Sequence, residues 1–153
     1  MELVNIHDAA IGFEPIHKVI FETDPAAFLI EAGDALAALS GDADTCHTLR
    51  LVTAAGEKEI CVRGLTIGQL IGASEDACQA YLAAHGGKID YIHNDDTALE
   101  MGRRSDGAAV LLPRMEKGEL FPSIVRSGPF PKKSFSIGHA QDKRYYLECR
   151  AIR

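Results

Sequence analysis

Lys88-Ile89-Asp90-Tyr91-Ile92-His93-Asn94-Asp95-Asp96-Thr97-Ala98-Leu99-Glu100-Met101-Gly102-Arg103, followed by Gly107-Ala108-Ala109-Val110-Leu111-Leu112, decides the fold class of this chain. Lys88 to His93 reads as a strand. Asn94-Asp95-Asp96 supplies the side-chain oxygens that accept from the unpaired N–H groups of a helix start. Thr97 to Arg103 continues as that helix. Gly107 to Leu112 is apolar throughout, the pattern of a strand covered on both faces. Strand, helix and buried strand in that order predict a right-handed unit with its two strands parallel.

Working outward, Ile16 to Glu22 alternates apolar and polar residues like a half-buried strand. Asp24-Pro25 opens a helix, with an acid at the cap and proline at the first helical position. Its apolar stripe is Phe28, Leu29, Ala32, Leu36 and Leu39, and Ser40-Gly41-Asp42 stops it. His47 to Thr53 and Lys58 to Arg63 flank Ala54-Ala55-Gly56-Glu57 as a hairpin. Leu65 to Ile71 fits either regular structure. Ser74-Glu75-Asp76 is expected to cap a helix reaching about Ala84, ended by Gly86-Gly87. Met115 to Arg126 predicts a short helix interrupted near Pro122, and Tyr145 to Ala151 a final strand. Met1 to His7 reads as a strand that begins at once, which suggests the C-terminal part of a longer protein. The expectation is an α/β (α+β) fold: one domain over 1–153, with a mixed β-sheet of about six or seven strands flanked by three or four helices.

The 153 residues suffice for one sizeable core, burying about 70% of the unfolded surface. A 46% apolar and 25% charged composition is that of a globular protein. The net charge of −6 argues against nucleic-acid binding driven by phosphate neutralisation. No run approaches the ~20 apolar residues of a membrane span, and the N-terminus has no secretory pattern, so a cytoplasmic protein is expected. Cys46, Cys61, Cys78 and Cys149 form no C-x-x-C pair, and apolar neighbours predict each to be a small buried hydrophobe.

Three places carry candidate chemistry. The first is the bend Pro131-Lys132-Lys133-Ser134-Phe135-Ser136, where lysine charges and hydroxyl donors suit a phosphate or carboxylate. Lys143 and Arg144 add a second basic pair. The competing reading is a solvated loop anchored by Phe130 and Phe135. The second is the strand end at His93, with Arg114 expected beyond the next strand on the same edge, where α/β proteins gather ligands. The plainer alternative is that Asn94 to Asp96 only cap a helix. The third joins His7 and Asp8 with Glu14 and His17, an acid–base or metal grouping whose geometry the spacing leaves open. Structural histidines are the commoner outcome, so no metal is assigned.

Asn5-Ile6-His7-Asp8, Phe13-Glu14-Pro15-Ile16-His17, Tyr91-Ile92-His93, Pro131 to Ser136 and Lys143-Arg144-Tyr145-Tyr146-Leu147-Glu148 together resemble the C-terminal half of the domain of unknown function 1015 family, in its clostridial-type form. The resemblance spans nearly the whole chain. It implies a longer bacterial or archaeal protein whose N-terminal half is similar to ParB/sulfiredoxin-like proteins, a group that includes nucleotidases and a free-serine kinase. The Asp-Gly-His-His or Asp-Gly-Asn-His motif of that half does not occur here. In more distant members the bend reads Pro-Pro-Lys-Ser-Thr, so Lys133 and Ser134 match the shared pair and Lys132 departs from it. The function expected is a companion domain for a small-molecule anion or a nucleotide, partnered by the missing N-terminal domain. A non-catalytic interaction or regulatory module is the alternative, and a hydrolase built on His7, Asp8, Glu14 and His17 is a third.

Overall fold

One backbone crossing, at Gly41 and Gly64, and a buried central strand position much of the molecule. The computed structural model describes residue 5, residues 7–9 and residues 11–138. The elements are β1 (Phe13–Pro15), β2 (His17–Phe21), α1 (Pro25–Ala37), β3 (Cys46–Thr53), β4 (Gly56–Arg63), α2 (Ile67–His85), β5 (Lys88–Ile92), α3 (Asp95–Gly102), β6 (Gly107–Leu111), a 3-10 turn (Lys117–Glu119), α4 (Leu120–Ser127) and β7 (Phe135–Ile137). This is an α+β fold with a five-stranded sheet, ordered β4-β3-β6-β2-β5, and a two-stranded one, β1-β7.

Every neighbouring pair in the larger sheet is antiparallel. β5 and β6 do run in the same direction, as the strand–helix–strand pattern requires, but β2 lies between them and opposes both. β6 is buried along its whole length. Helices cover both faces: Ile20, Leu51 and Val110 join the core beneath α1 and α2, while Val19, Val52 and Ala109 pack with Ala98 of α3. A central strand so covered has no solvent side, which matters below for Lys18.

The local signals explain most element ends. Asp24 Oδ1 accepts from the N–H groups of Ala26 and Ala27 at 2.9 and 3.3 Å, and Phe28, Ala32 and Leu36 form the buried stripe of α1. The hairpin turns at Ala54-Ala55, with Thr53 opposite Gly56. α2 begins earlier than Ser74. Thr66 caps it and exchanges hydrogen bonds with Gln69 in a capping box, so the ambiguous stretch from Leu65 is its first turns. Ser74 lies inside the helix with its hydroxyl donating to the Ile71 carbonyl at 2.8 Å. The crossing of Gly41 and Gly64 closes the α1–β3 loop against the end of β4. A Cβ on Gly64 would sit 2.0 Å from the Gly41 carbonyl oxygen, and its φ of +81 already favours glycine.

Both ends of the described residues depart from expectation. Of the expected strand from Met1 to His7, Asn5 lies in irregular backbone and His7 in a turn, and the rest is outside the described residues. Pro122 sits in the first turn of α4, where its missing N–H breaks no bond, so it does not interrupt the helix. β7 is a strand the sequence did not announce. The expected strand from Tyr145 to Ala151 lies outside the described residues, as do Lys143 and Arg144.

α4 is turned with polar groups inward. Ser123 Oγ accepts from the Gly68 N–H at 3.2 Å, and Ser127 Oγ lies 2.9 Å from Thr66 Oγ. Phe121 and Val125, one helical turn apart, are 57% and 86% exposed.

Candidate functional site

The bend at 131–134 is seated on α2 and β5. Phe130 packs beside Gly68, Pro131 beside Gly72, and Phe130 and Phe135 meet edge to face at 5.4 Å. Ser134 is buried, and its hydroxyl donates to the Pro131 carbonyl at 2.6 Å, so it shapes the turn rather than facing a ligand. Lys133 has φ +59, a left-handed conformation that a side-chain-bearing residue adopts at a cost of about 1 kcal/mol. Its ammonium lies 5.0 Å from the centroid of the Tyr91 ring, a cation–π contact. Lys132 is exposed beside it. Among the described residues neither lysine has a carboxylate partner.

Beneath Tyr91 runs a chain of charged and polar groups that sequence reasoning missed. Lys18 stands opposite Tyr91 in the β2–β5 ladder. Its side chain is 1% exposed, with Nζ 3.5 Å from Glu75 Oε2 and 3.4 Å from the Ile71 carbonyl. Glu75 Oε1 accepts from the Tyr91 hydroxyl at 2.7 Å and from Gln79 Nε2 at 2.9 Å. Burial pulls the Lys18 pKa down, opposed by the Glu75 charge. Burial alone would raise Glu75, but the Gln79 and Tyr91 hydrogen bonds and the Lys18 charge bring it below the usual carboxylate range. Burial, then the bond to Glu75, pushes Tyr91 up to about 12. Burial likewise pushes the neighbouring Cys78 thiol up to about 12. At neutral pH the phenol and thiol are therefore protonated, and Glu75 is a carboxylate facing the Lys18 Nζ.

A lysine in His17-Lys18-Val19-Ile20-Phe21 resembles the polar half of an alternating strand, and only the helices on both faces bury it. The same chain order left Glu75 looking like part of a helix cap.

The histidine candidates divide differently. His17 is buried, and both ring nitrogens are engaged: Nδ1 accepts from the Leu112 N–H at 3.1 Å, and Nε2 donates to Asp95 Oδ1 at 2.9 Å. That pairing fixes the neutral Nε2–H tautomer. With no free nitrogen, His17 ties β2 to the start of α3 and to the end of β6, and is not available as a base or ligand. His93 follows β5, directly before the cap. Asn94 Oδ1 accepts from the Thr97 N–H and hydroxyl at 2.9 and 3.2 Å, the capping role read as the plainer alternative.

Glu14 and Ser136 stand opposite each other in the β1–β7 pair. Arg114 reaches back to β1. Its Nε donates to the Phe13 carbonyl at 3.1 Å, bracing β1. His7 lies in a turn beside Asp8, whose carbonyl accepts from Lys117 Nζ. Among the described residues no three histidine, cysteine, aspartate or glutamate side chains cluster as a metal site. The structure thus brings the Lys133 ammonium onto the Tyr91 ring. Cys78 is buried as expected, whereas Cys46 and Cys61 are exposed because they lie on the outward face of the hairpin.

No helix among the described residues is long and apolar enough to cross a membrane. No family model matches the chain, and neither a curated protein nor a solved structure is detectably similar to it.

Proposed function

We propose that this chain is a ligand-binding companion domain of the domain of unknown function 1015 type, acting in the cytoplasm beside an N-terminal domain, with a small-molecule anion or nucleotide phosphate held at the 131–134 bend. The observation that supports this reading is Lys133. It occupies a strained backbone conformation, its ammonium rests on an aromatic face instead of a carboxylate, and Lys132 adds a second unpaired cation. A cation–π contact at an exposed position is worth only about 0.5–1 kcal/mol, so an incoming phosphate oxygen competes for the ammonium readily. A kinase-like or serine-metabolism role belongs to the whole parent, because His17 has no free nitrogen and the bend supplies no base.

Isothermal calorimetry of the full chain with inorganic phosphate, phosphoserine and ATP tests the reading. At least one of these is expected to bind, and Lys133→Ala to weaken it about tenfold, the value of one charge-assisted contact. Absence of binding by all three, or unchanged affinity in Lys133→Ala, overturns it.

The outward apolar side of α4 favours a second reading, a non-catalytic interaction module. Under that reading Phe121→Ser with Val125→Ser abolishes association in sedimentation measurements while leaving anion binding intact.

A further inference from the structure

The outer face of the β3–β4 hairpin holds two exposed thiols that no site described above uses. Cys46 stands opposite Arg63 and Cys61 opposite Thr48, so the two cysteines are diagonal neighbours on adjacent antiparallel strands. Ile60 and Val62 are buried on either side of Cys61, which sends the Cys61 side chain to the opposite, open face. Cys46 lies on that same face and is likewise exposed.

We propose that Cys46 and Cys61 form a reversible thiol–disulfide exchange site whose co-substrate is a low-molecular-weight disulfide of the glutathione type.

Both thiols are exposed on the same face of adjacent strands, so either can open the exchange; Cys61 is taken as the first nucleophile. The Cys61 thiolate attacks one sulfur of the oxidised tripeptide. That S–S bond breaks, a mixed disulfide forms on Cys61, and one glutathione thiolate leaves and takes up a proton. Cys46 then gives its proton to solvent and attacks the Cys61 sulfur, expelling the second glutathione. Two protein thiols are oxidised and one small disulfide is reduced to two thiols. Arg63, directly across from Cys46, supplies a positive charge beside the reacting sulfurs.

The geometry also makes the bridge easy to reverse. Diagonal partners in a ladder have Cα atoms about 7–8 Å apart, at the edge of what a disulfide spans without backbone movement. Cys46 is the first residue of β3 and β4 is an edge strand, so the movement falls where the ladder resists least. A bridge that pulls on the hairpin is reduced more readily than a relaxed structural one. Cys78, on the buried face of α2, is outside this chemistry.

The test equilibrates the full chain in buffers of graded reduced-to-oxidised glutathione, traps free thiols by alkylation in acid, and maps peptides by mass. The expected product is a Cys46–Cys61 linked pair, at a fraction that follows the glutathione ratio and returns to zero with dithiothreitol. Cys46→Ser and Cys61→Ser are each expected to stop at a single glutathione adduct on the remaining cysteine of the pair, with no bridge. Adducts on both cysteines without a bridge, a bridge joining Cys78 or Cys149 instead, or a Cys46–Cys61 bridge formed only in denaturant each overturn the proposal.

Discussion

Replacing either member of the Lys18–Glu75 pair should have unequal consequences, because the two are unequally buried. Lys18 has 1% of its side chain exposed, and Glu75 has 26%. At 3.5 Å and an effective dielectric near 20, their gross attraction is about 4–5 kcal/mol. Glu75→Gln removes that attraction and strands an ammonium whose other close acceptor among the described residues is the Ile71 carbonyl at 3.4 Å. The glutamine oxygen still accepts from Tyr91, so the net loss at neutral pH is expected to be about 2–4 kcal/mol. In a chain of this length each kcal/mol moves Tm by about 2–4 °C, so the melting point should fall by roughly 5–15 °C.

Lys18→Met leaves the other half of the pair better provided. Glu75 keeps its bonds from Tyr91 and Gln79 and its access to water, while the desolvation cost of a buried ammonium disappears. That variant should stay within about 1 kcal/mol of the parent, or exceed it. The pH dependence gives the sharper check. Burial holds the folded-state pKa of Lys18 below its ordinary 10.5. Between that lowered value and 10.5 the unfolded chain binds more protons, so this group's contribution to stability rises with pH. Removing Glu75 lowers the folded value further, so the deficit of Glu75→Gln should shrink as pH climbs through the alkaline range. Urea titrations at pH 7 and pH 9 measure it. A deficit that is equal at both, or a larger loss for Lys18→Met than for Glu75→Gln, refutes the argument.

Other substitutions probe separate features. Lys133→Gly should raise stability by about 0.5–1 kcal/mol by relieving the left-handed backbone while losing anion binding, as denaturant titration and calorimetry would read. Gly64→Ala should cost at least about 3 kcal/mol, because its methyl would enter the Gly41 carbonyl; a folded variant of normal Tm would contradict the crossing. Val125→Lys should change stability by less than about 0.5 kcal/mol, since that side chain is 86% exposed. Acidification should weaken the parent as pH drops toward and through the lowered Glu75 pKa, with stability fully present above the ordinary value of 4.5; Glu75→Gln should lack that component.

What the sequence made legible follows from how local each signal is. Asp24-Pro25, Asn94 and Gly86 announce helix ends through bonds made within a few residues, and each sits where its chemistry places it. Thr66 and Gln69 were equally local, yet the apolar run from Leu65 masked their reciprocal cap. The order of strands was not local. Nothing within Lys88 to Leu112 says that β2 inserts between β5 and β6, and so the parallel relation survives only in direction. β7 was hidden because three residues carry too little pattern to register as a strand.

The same distinction accounts for the site. Lysines and hydroxyls on a proline bend can be read from composition, and Lys133 does present an unpaired ammonium there. Which hydroxyls face outward cannot be read, and Ser134 turns inward onto Pro131. The groups under the bend come from β2, β5 and α2, three elements brought together only by the antiparallel register that sets Lys18 opposite Tyr91. A lone buried lysine in β2 would be a liability. Bound through Glu75 to the Tyr91 hydroxyl, it fixes the ring on which Lys133 rests, so the interior charge pair and the exposed cation are mechanically one unit. Tyr91→Phe should therefore leave Lys133 its aromatic seat but loosen it, while Tyr91→Ala removes the seat altogether. Anion affinity that changes in neither variant would separate the bend from everything beneath it.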